Sequence, residues 1–113
     1  MKLINLTPHE LNIVKEDGTV LTVPKPESGL AIPRLHVSRQ GVYAQEGIKF
    51  YLSNYGQVEN LPAKVEGVTL IVSAMIRQAL PERTDLVSPG NLLRNAAGSV
   101  IGCEGLDINY RLQ

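Results

Sequence analysis

LIVSAMIRQALPERTDLVSPG, residues Leu70–Gly90, holds the element around which the rest of the chain must be arranged. It lies within the nearly continuous apolar run Val68–Ser73, VTLIVS, which predicts a strand buried on both faces and central in its sheet. Ser73 then caps a short helix. Ala74, Met75, Ile76, Gln78, Ala79 and Leu80 favour it, and Pro81 ends it. A helix of about two turns is too short to stand alone, so it must dock on the sheet. Beyond it, Arg83, Asp85 and the Pro89–Gly90 pair read as a polar loop closed by a turn. Such a loop either solvates the edge of the fold, with Arg83 and Asp85 joined in an ion pair, or holds a ligand.

Outward from this core, the pattern is of short strands. KLINL, Lys2–Leu6, is one. TPHE, Thr7–Glu10, has the spacing of a capping box, but the alternation of Leu11 and Ile13 that follows predicts one tight turn and then a strand. A hairpin is expected over 11–15 and 19–23, turning at Asp17–Gly18. PKPESG, Pro24–Gly29, is a loop. Alternation at Leu35 and Val37, then at Ile48, Phe50 and Leu52, predicts a second hairpin turning at Gln45–Gly47. Asn54–Tyr55–Gly56 is a turn signal, and most of Gly56–Gly67 reads as loop with a short strand near Val58. A last hairpin turns at Asn95–Gly98 with Val100, Ile101 and Cys103 on its return strand, and DINYRLQ is a short tail or edge strand. The expected fold is α+β and β-rich: a single compact domain of about seven or eight short strands with one short helix near residues 74–80.

Composition bounds what such a domain does. The 113 residues are 43% hydrophobic and 19% charged, which fits one globular domain. Aromatics are only 4%, so the core must be aliphatic. Eleven basic and eleven acidic residues balance to zero net charge, which argues against duplex nucleic acid as a partner. The single cysteine, Cys103, builds no disulfide framework and suits a reducing cytoplasm. No leader and no apolar run of membrane-spanning length appears, so a cytoplasmic protein that does not cross a membrane is expected.

No catalytic motif stands out. His9, His36 and Cys103 lack metal-ligand spacings, and no cofactor is implied. Ser73 sits at a strand-to-helix switch without the glycines of a nucleophile elbow, so it reads first as a helix cap. Cys103, in VIGCEG, reads as core. Softer features suggest anion binding: the Ser73 helix start, the Thr7–Glu10 turn, and the forked guanidinium groups of Arg34, Arg77, Arg83 and Arg94. Arg77 reads equally well as the solvated face of its helix.

NLTPHELNIV at the start, TLIVSAMIRQAL in the middle and RTDLVSPGNLLRNAAGSVIGCEGL near the end together resemble a family of small uncharacterised proteins of bacteria and their phages. The N-L-T-P-H opening and the R-x-D-L-x-x-P-G motif carry the likeness, which spans nearly the whole chain. The resemblance brings no activity with it. It implies a common site among Asn5, Thr7, His9, Ser73, Arg83, Asp85 and Arg94, and a phage setting suggests, by analogy, a sponge that sequesters a nucleotide-derived immune signal.

The resulting expectation is a non-catalytic, homo-oligomeric module for a small anionic, nucleotide-like ligand. Thr7–Glu10, the start of the helix and the Arg83–Arg94 stretch would converge on one pocket, with Asn5 and Arg34 contributing. The alternatives are a small hydrolase or lyase using His9 and Asp85, and a protein-binding phage inhibitor or virion component.

Overall fold

The computed structural model describes residues 1–27 and 32–109. Its elements are β1 (Lys2–Asn5), β2 (Leu11–Val14), β3 (Val20–Val23), β4 (Arg34–Gln45), β5 (Ile48–Glu59), β6 (Val68–Ile71), α1 (Ala74–Ala79), β7 (Leu86–Arg94) and β8 (Val100–Ile108). Eight strands and one short helix make the β-rich α+β fold that the apolar patterning predicts. Six strands form one sheet in the order β1-β6-β7-β8-β2-β3, while β4 and β5 form a separate hairpin.

β6 is an interior strand, one in from the β1 edge and paired on both sides, as its apolar run requires. It pairs in parallel with β1 through Lys2↔Val68 to Asn5↔Ile71, and in parallel with β7 through Leu70↔Leu86 and Ile71↔Val87. Side chains alternate across a strand. Ile71 therefore faces one side, with Val87, while Leu70, Val72 and Leu86 face the other, and all five are buried.

The first side is the inside of a rolled sheet. Ile13, Val23, Ile71, Val87 and Cys103 form one buried cluster, with Leu3, Leu11 and Leu106 packed against it, so all six strands contribute. A flat sheet could not bring β1 and β3, its two edges, into one cluster. Rolling does, and Asn5 marks the seam: its Nδ2 donates to Val23 O at 3.5 Å and to His9 O at 2.7 Å. β1 and β3 remain the two edges of the sheet, and the Asn5 side chain bridges them.

The second side is covered by α1 and the root of the β4–β5 hairpin. Leu70, Val72, Leu86 and Ile76 are buried there, with Leu35, Val58, Leu61 and Leu80 against them. Ser73 Oγ caps α1 by accepting from Ile76 N at 3.3 Å. Arg77, read from sequence as either an anion-pairing guanidinium or the helix's solvated face, instead pins the helix down. Its Nε donates to the fully buried Ser88 Oγ at 2.8 Å and its Nη1 to Asn109 Oδ1 at 3.2 Å.

Two expected turns are strand. Pro89–Gly90 lies within β7. Proline is tolerated because β6 pairs with β7 only as far as Val87, so beyond it that edge of β7 has no neighbour needing an N–H. Asn54–Gly56 lies within β5, where the register slips between the Leu35 and Val37 pairings; Gly56 suits this irregularity because a Cβ there would come within 3.2 Å of His36 Cβ. The turn at Glu46–Gly47 forms as expected, with φ of 53° and 77°, the two left-handed positions that a two-residue hairpin needs.

β4 and β5 are 12 residues each, against nine in β7 and β8 and four in β2 and β3, and project as an arm. The radius of gyration, 16.9 Å, exceeds the ~13 Å of a compact chain of this length because of it. Pro24–Glu27 has no regular structure, in line with a loop; the rest of that expected loop, Ser28–Gly29, lies outside the described residues. Of the expected tail, Asp107 and Ile108 end β8 and Asn109 is buried, while 110–113 lie outside the described residues.

Candidate functional site

The parallel strands give the molecule two chemically different ends. Thr7 and Ser73 follow the carboxyl ends of β1 and β6. Asp85 precedes the amino end of β7, and its carbonyl receives Leu70 N at 2.8 Å.

At the carboxyl ends, β6 leaves the sheet for α1 while β7 runs on to Arg94 and returns as β8. The distal part of the β7–β8 hairpin therefore overhangs the space that β6 vacates, and the Thr7–Asn12 segment borders it. The result is a groove of about 780 Å³. Leu92, Val100 and Ile101 form an apolar wall, and at 47–54% exposure none of the described residues covers them. Pro8, Leu11 and Pro89 add apolar surface. The polar lining is Thr7, His9, Glu10, Asn12 and Ser73.

Local chemistry holds the polar rim in place. Asn5 Oδ1 accepts from Thr7 N at 2.9 Å and from Thr7 Oγ1 at 2.6 Å, an Asx-type turn that opens the tight turn expected before β2. Asn12 bridges three strands: its Oδ1 accepts from Thr22 Oγ1 at 2.8 Å and its Nδ2 donates to Ile101 O at 3.4 Å. Gly102 permits this approach, since a Cβ there would lie 2.9 Å from Asn12 O.

The opposite end belongs to Arg83 and Asp85. Arg83 Nε and Nη2 each donate to the Asp85 carboxylate at 2.8 Å, and Nη2 also reaches Pro62 O at 2.9 Å. Asp85 is 6% exposed. The two hydrogen bonds from Arg83 outweigh its burial and hold its carboxyl below the usual carboxylate range. Asp85 lines a shallow depression of about 290 Å³ with Lys64 and Thr84. The ion-pair reading of Arg83 and Asp85 is the one the geometry has.

The residues singled out from sequence thus divide. Thr7, His9 and Ser73 share the groove, with Asn5 buried beneath its rim. Arg83 and Asp85 lie at the far end of the parallel strands, so the expected convergence of Thr7, Ser73 and Arg83 on one pocket does not form. Arg94 Nη1 donates to Gly98 O at 2.9 Å within the β7–β8 turn. Arg34 stands at the root of the arm, opposite Glu59. The helix start offers no anion site: α1 has six residues, too few to sum a useful dipole, and Ser73 already occupies Ile76 N. Asn12, Leu92 and Ile101 carried no site signal in the sequence, because the groove is made by one strand stopping where its neighbour continues.

Among the described residues, no three His, Cys, Asp or Glu side chains gather as metal ligands, and no helix is long and apolar enough to cross a membrane. Comparison with protein-family models, curated proteins and solved structures finds no match to the chain.

Proposed function

We propose that this protein is a binding module that holds a small nucleoside-derived molecule in the groove beside Thr7, His9 and Ser73, without converting it. The observation that supports this reading is the meeting of two motifs some 65 residues apart at one 780 Å³ groove beyond the carboxyl ends of parallel strands, the usual position of ligand sites in such sheets. The groove has the make-up of a small-molecule site, apolar walls with a few polar groups. The Leu92–Ile101 wall suits a flat ring. Glu10 suits ribose hydroxyls as an acceptor, and the Thr7 and Ser73 hydroxyls and His9 suit a polar or anionic substituent. Among the described residues no arginine lines the groove, so this reading rests on shape and hydroxyl recognition more than on phosphate pairing. In a phage setting such binding amounts to sequestration of a signal.

The hydrolase alternative gains no support, because Asp85 is held by Arg83 at the opposite end from His9. A panel of nucleosides, nucleotides, cyclic dinucleotides and ADP-ribose derivatives tests the proposal. A ligand at a hundredfold its Kd raises stability by ~2.7 kcal/mol, which for a domain of this size moves Tm by about 10 °C. The bound compound, released by denaturation, runs unchanged on chromatography, and Ser73→Ala with Thr7→Ala weakens binding. A panel without any thermal shift, or release of a converted product, refutes it.

A further inference from the structure

The β4–β5 arm carries four of the five aromatic residues of the chain, Tyr43, Phe50, Tyr51 and Tyr55, in a protein otherwise built from aliphatic side chains. Ile48, Phe50 and Leu52 alternate along β5 and so share one face near the tip. Tyr43, paired with Phe50, stacks on its ring at a centroid distance of 4.9 Å. These four side chains are 40–57% exposed. A two-stranded hairpin is marginal in water unless something packs on it, and among the described residues only its root does so, through Leu35 and Val58. At that root lies a crevice of about 340 Å³ between the arm and α1, lined by Leu35, Tyr55, Gly56, Met75, Gln78 and Ala79, with Met75 itself 50% exposed.

We infer that two copies of this chain lie arm along arm, antiparallel, with the tip of each arm seated in the root crevice of the other. An apolar tip and an apolar crevice stand at opposite ends of one arm, so a two-fold axis across the arms satisfies both of them twice and closes the assembly. Tyr51 and Tyr55 alternate onto the other face of β5, so the contact counts only the tip face (Tyr43, Ile48, Phe50 and Leu52) and the crevice residues Tyr55 and Met75. Half-exposed at ~200 Å² each, these leave on the order of 600 Å² per partner, near the lower end of a specific interface. Charge permits it too: Glu46 and Lys49 flank the tip, Arg34 and Glu59 the root, so each end carries both signs. Edge-to-edge pairing of arms is less favoured, because both strands carry a register irregularity.

Sedimentation velocity over the micromolar range reads the outcome. The wild-type chain is expected at twice its 12.3 kDa mass. Phe50→Glu at the tip and Met75→Glu at the crevice alter exposed positions, so both variants fold, and each weakens the dimer about thirtyfold or more because every contact occurs twice. Lys15→Glu, outside both surfaces, leaves it intact. The double variant Ile48→Cys/Gln78→Cys forms a disulfide-linked dimer under oxidation, and Ile48→Cys alone does not; the native Cys103 is fully buried. A wild-type monomer, including one that captures a lipid vesicle or another protein, overturns the inference. So does a dimer indifferent to both glutamates, or efficient cross-linking of Ile48→Cys alone, which would mean tip-to-tip contact.

Discussion

Replacing Arg83 by alanine leaves a carboxylate in a place where water cannot solvate it. Asp85 is 6% exposed, and its charge is met by two 2.8 Å hydrogen bonds from the one guanidinium. Removing one partner of a buried pair costs about 3–5 kcal/mol, and the partly open Arg83 side chain argues for the lower end, ~3 kcal/mol. The same substitution frees Pro62 O, so the Asn60–Gly67 segment loses one of its ties to the amino ends of the parallel strands, the Lys64–Thr84 and Lys2–Gly67 bonds remaining. With a urea slope of ~2 kcal/mol per molar, the unfolding midpoint falls by about 1.5 M. The pH dependence gives an independent check. The folded-state pKa of Asp85 is depressed, so the pair's contribution is fully present above the unfolded value of ~3.9 and is lost as pH falls through the lower folded value. The gap between wild type and Arg83→Ala should therefore be wide at neutral pH and narrow at about pH 3. Arg83→Ala/Asp85→Ala should recover part of the loss, since no buried charge then remains unpaired. A loss under ~1 kcal/mol at neutral pH, or a gap that does not shrink in acid, refutes the reasoning.

Other positions give sharper contrasts. Asn5→Ala removes the seam between β1 and β3 and should cost ~2–3 kcal/mol, with faster amide exchange around Asn5 and Val23 in hydrogen-exchange mass spectrometry. Ser73→Ala loses the cap of a six-residue helix and should cost ~1 kcal/mol in chemical denaturation, with Ile76 exchanging first by NMR. Gly102→Ala drives a Cβ to 2.9 Å from the backbone oxygen of Asn12 and should cost ~1–3 kcal/mol. Gly90→Ala meets only the exposed carboxylate of Asp107 at 2.6 Å, which can turn away, so its Tm should stay within about 4 °C of wild type.

What the sequence made legible was local. The doubly buried Val68–Ser73 strand, the Ser73 cap, the turns at Asp17–Gly18, Glu46–Gly47 and Asn95–Gly98, and the core position of Cys103 all follow from periodicity and turn chemistry. The errors share a cause. Pro89–Gly90 and Asn54–Gly56 carry turn-forming residues, yet each lies in a strand because a tertiary circumstance, a departed neighbour or a slipped register, makes those residues acceptable there. The roles of Arg77, Ser88 and Asn109 were invisible, since their network joins α1, β7 and the end of β8. The groove was half legible: Thr7, His9 and Ser73 were found as polar residues at element ends, but the ends of parallel strands have polarity, and no spacing in the chain tells which end Arg83 occupies.

The pairing of Lys2 with Val68 has a temporal side. A chain leaving the ribosome presents β1 long before its partner exists, and the rolled body cannot close until β8 has followed. The arm needs only its own two strands and a two-residue turn, and such hairpins form in about 1–10 microseconds. Both strands of the arm and its turn are thus present before β6, α1, β7 and β8 have been made, and the crevice at its root comes into being only when α1 follows.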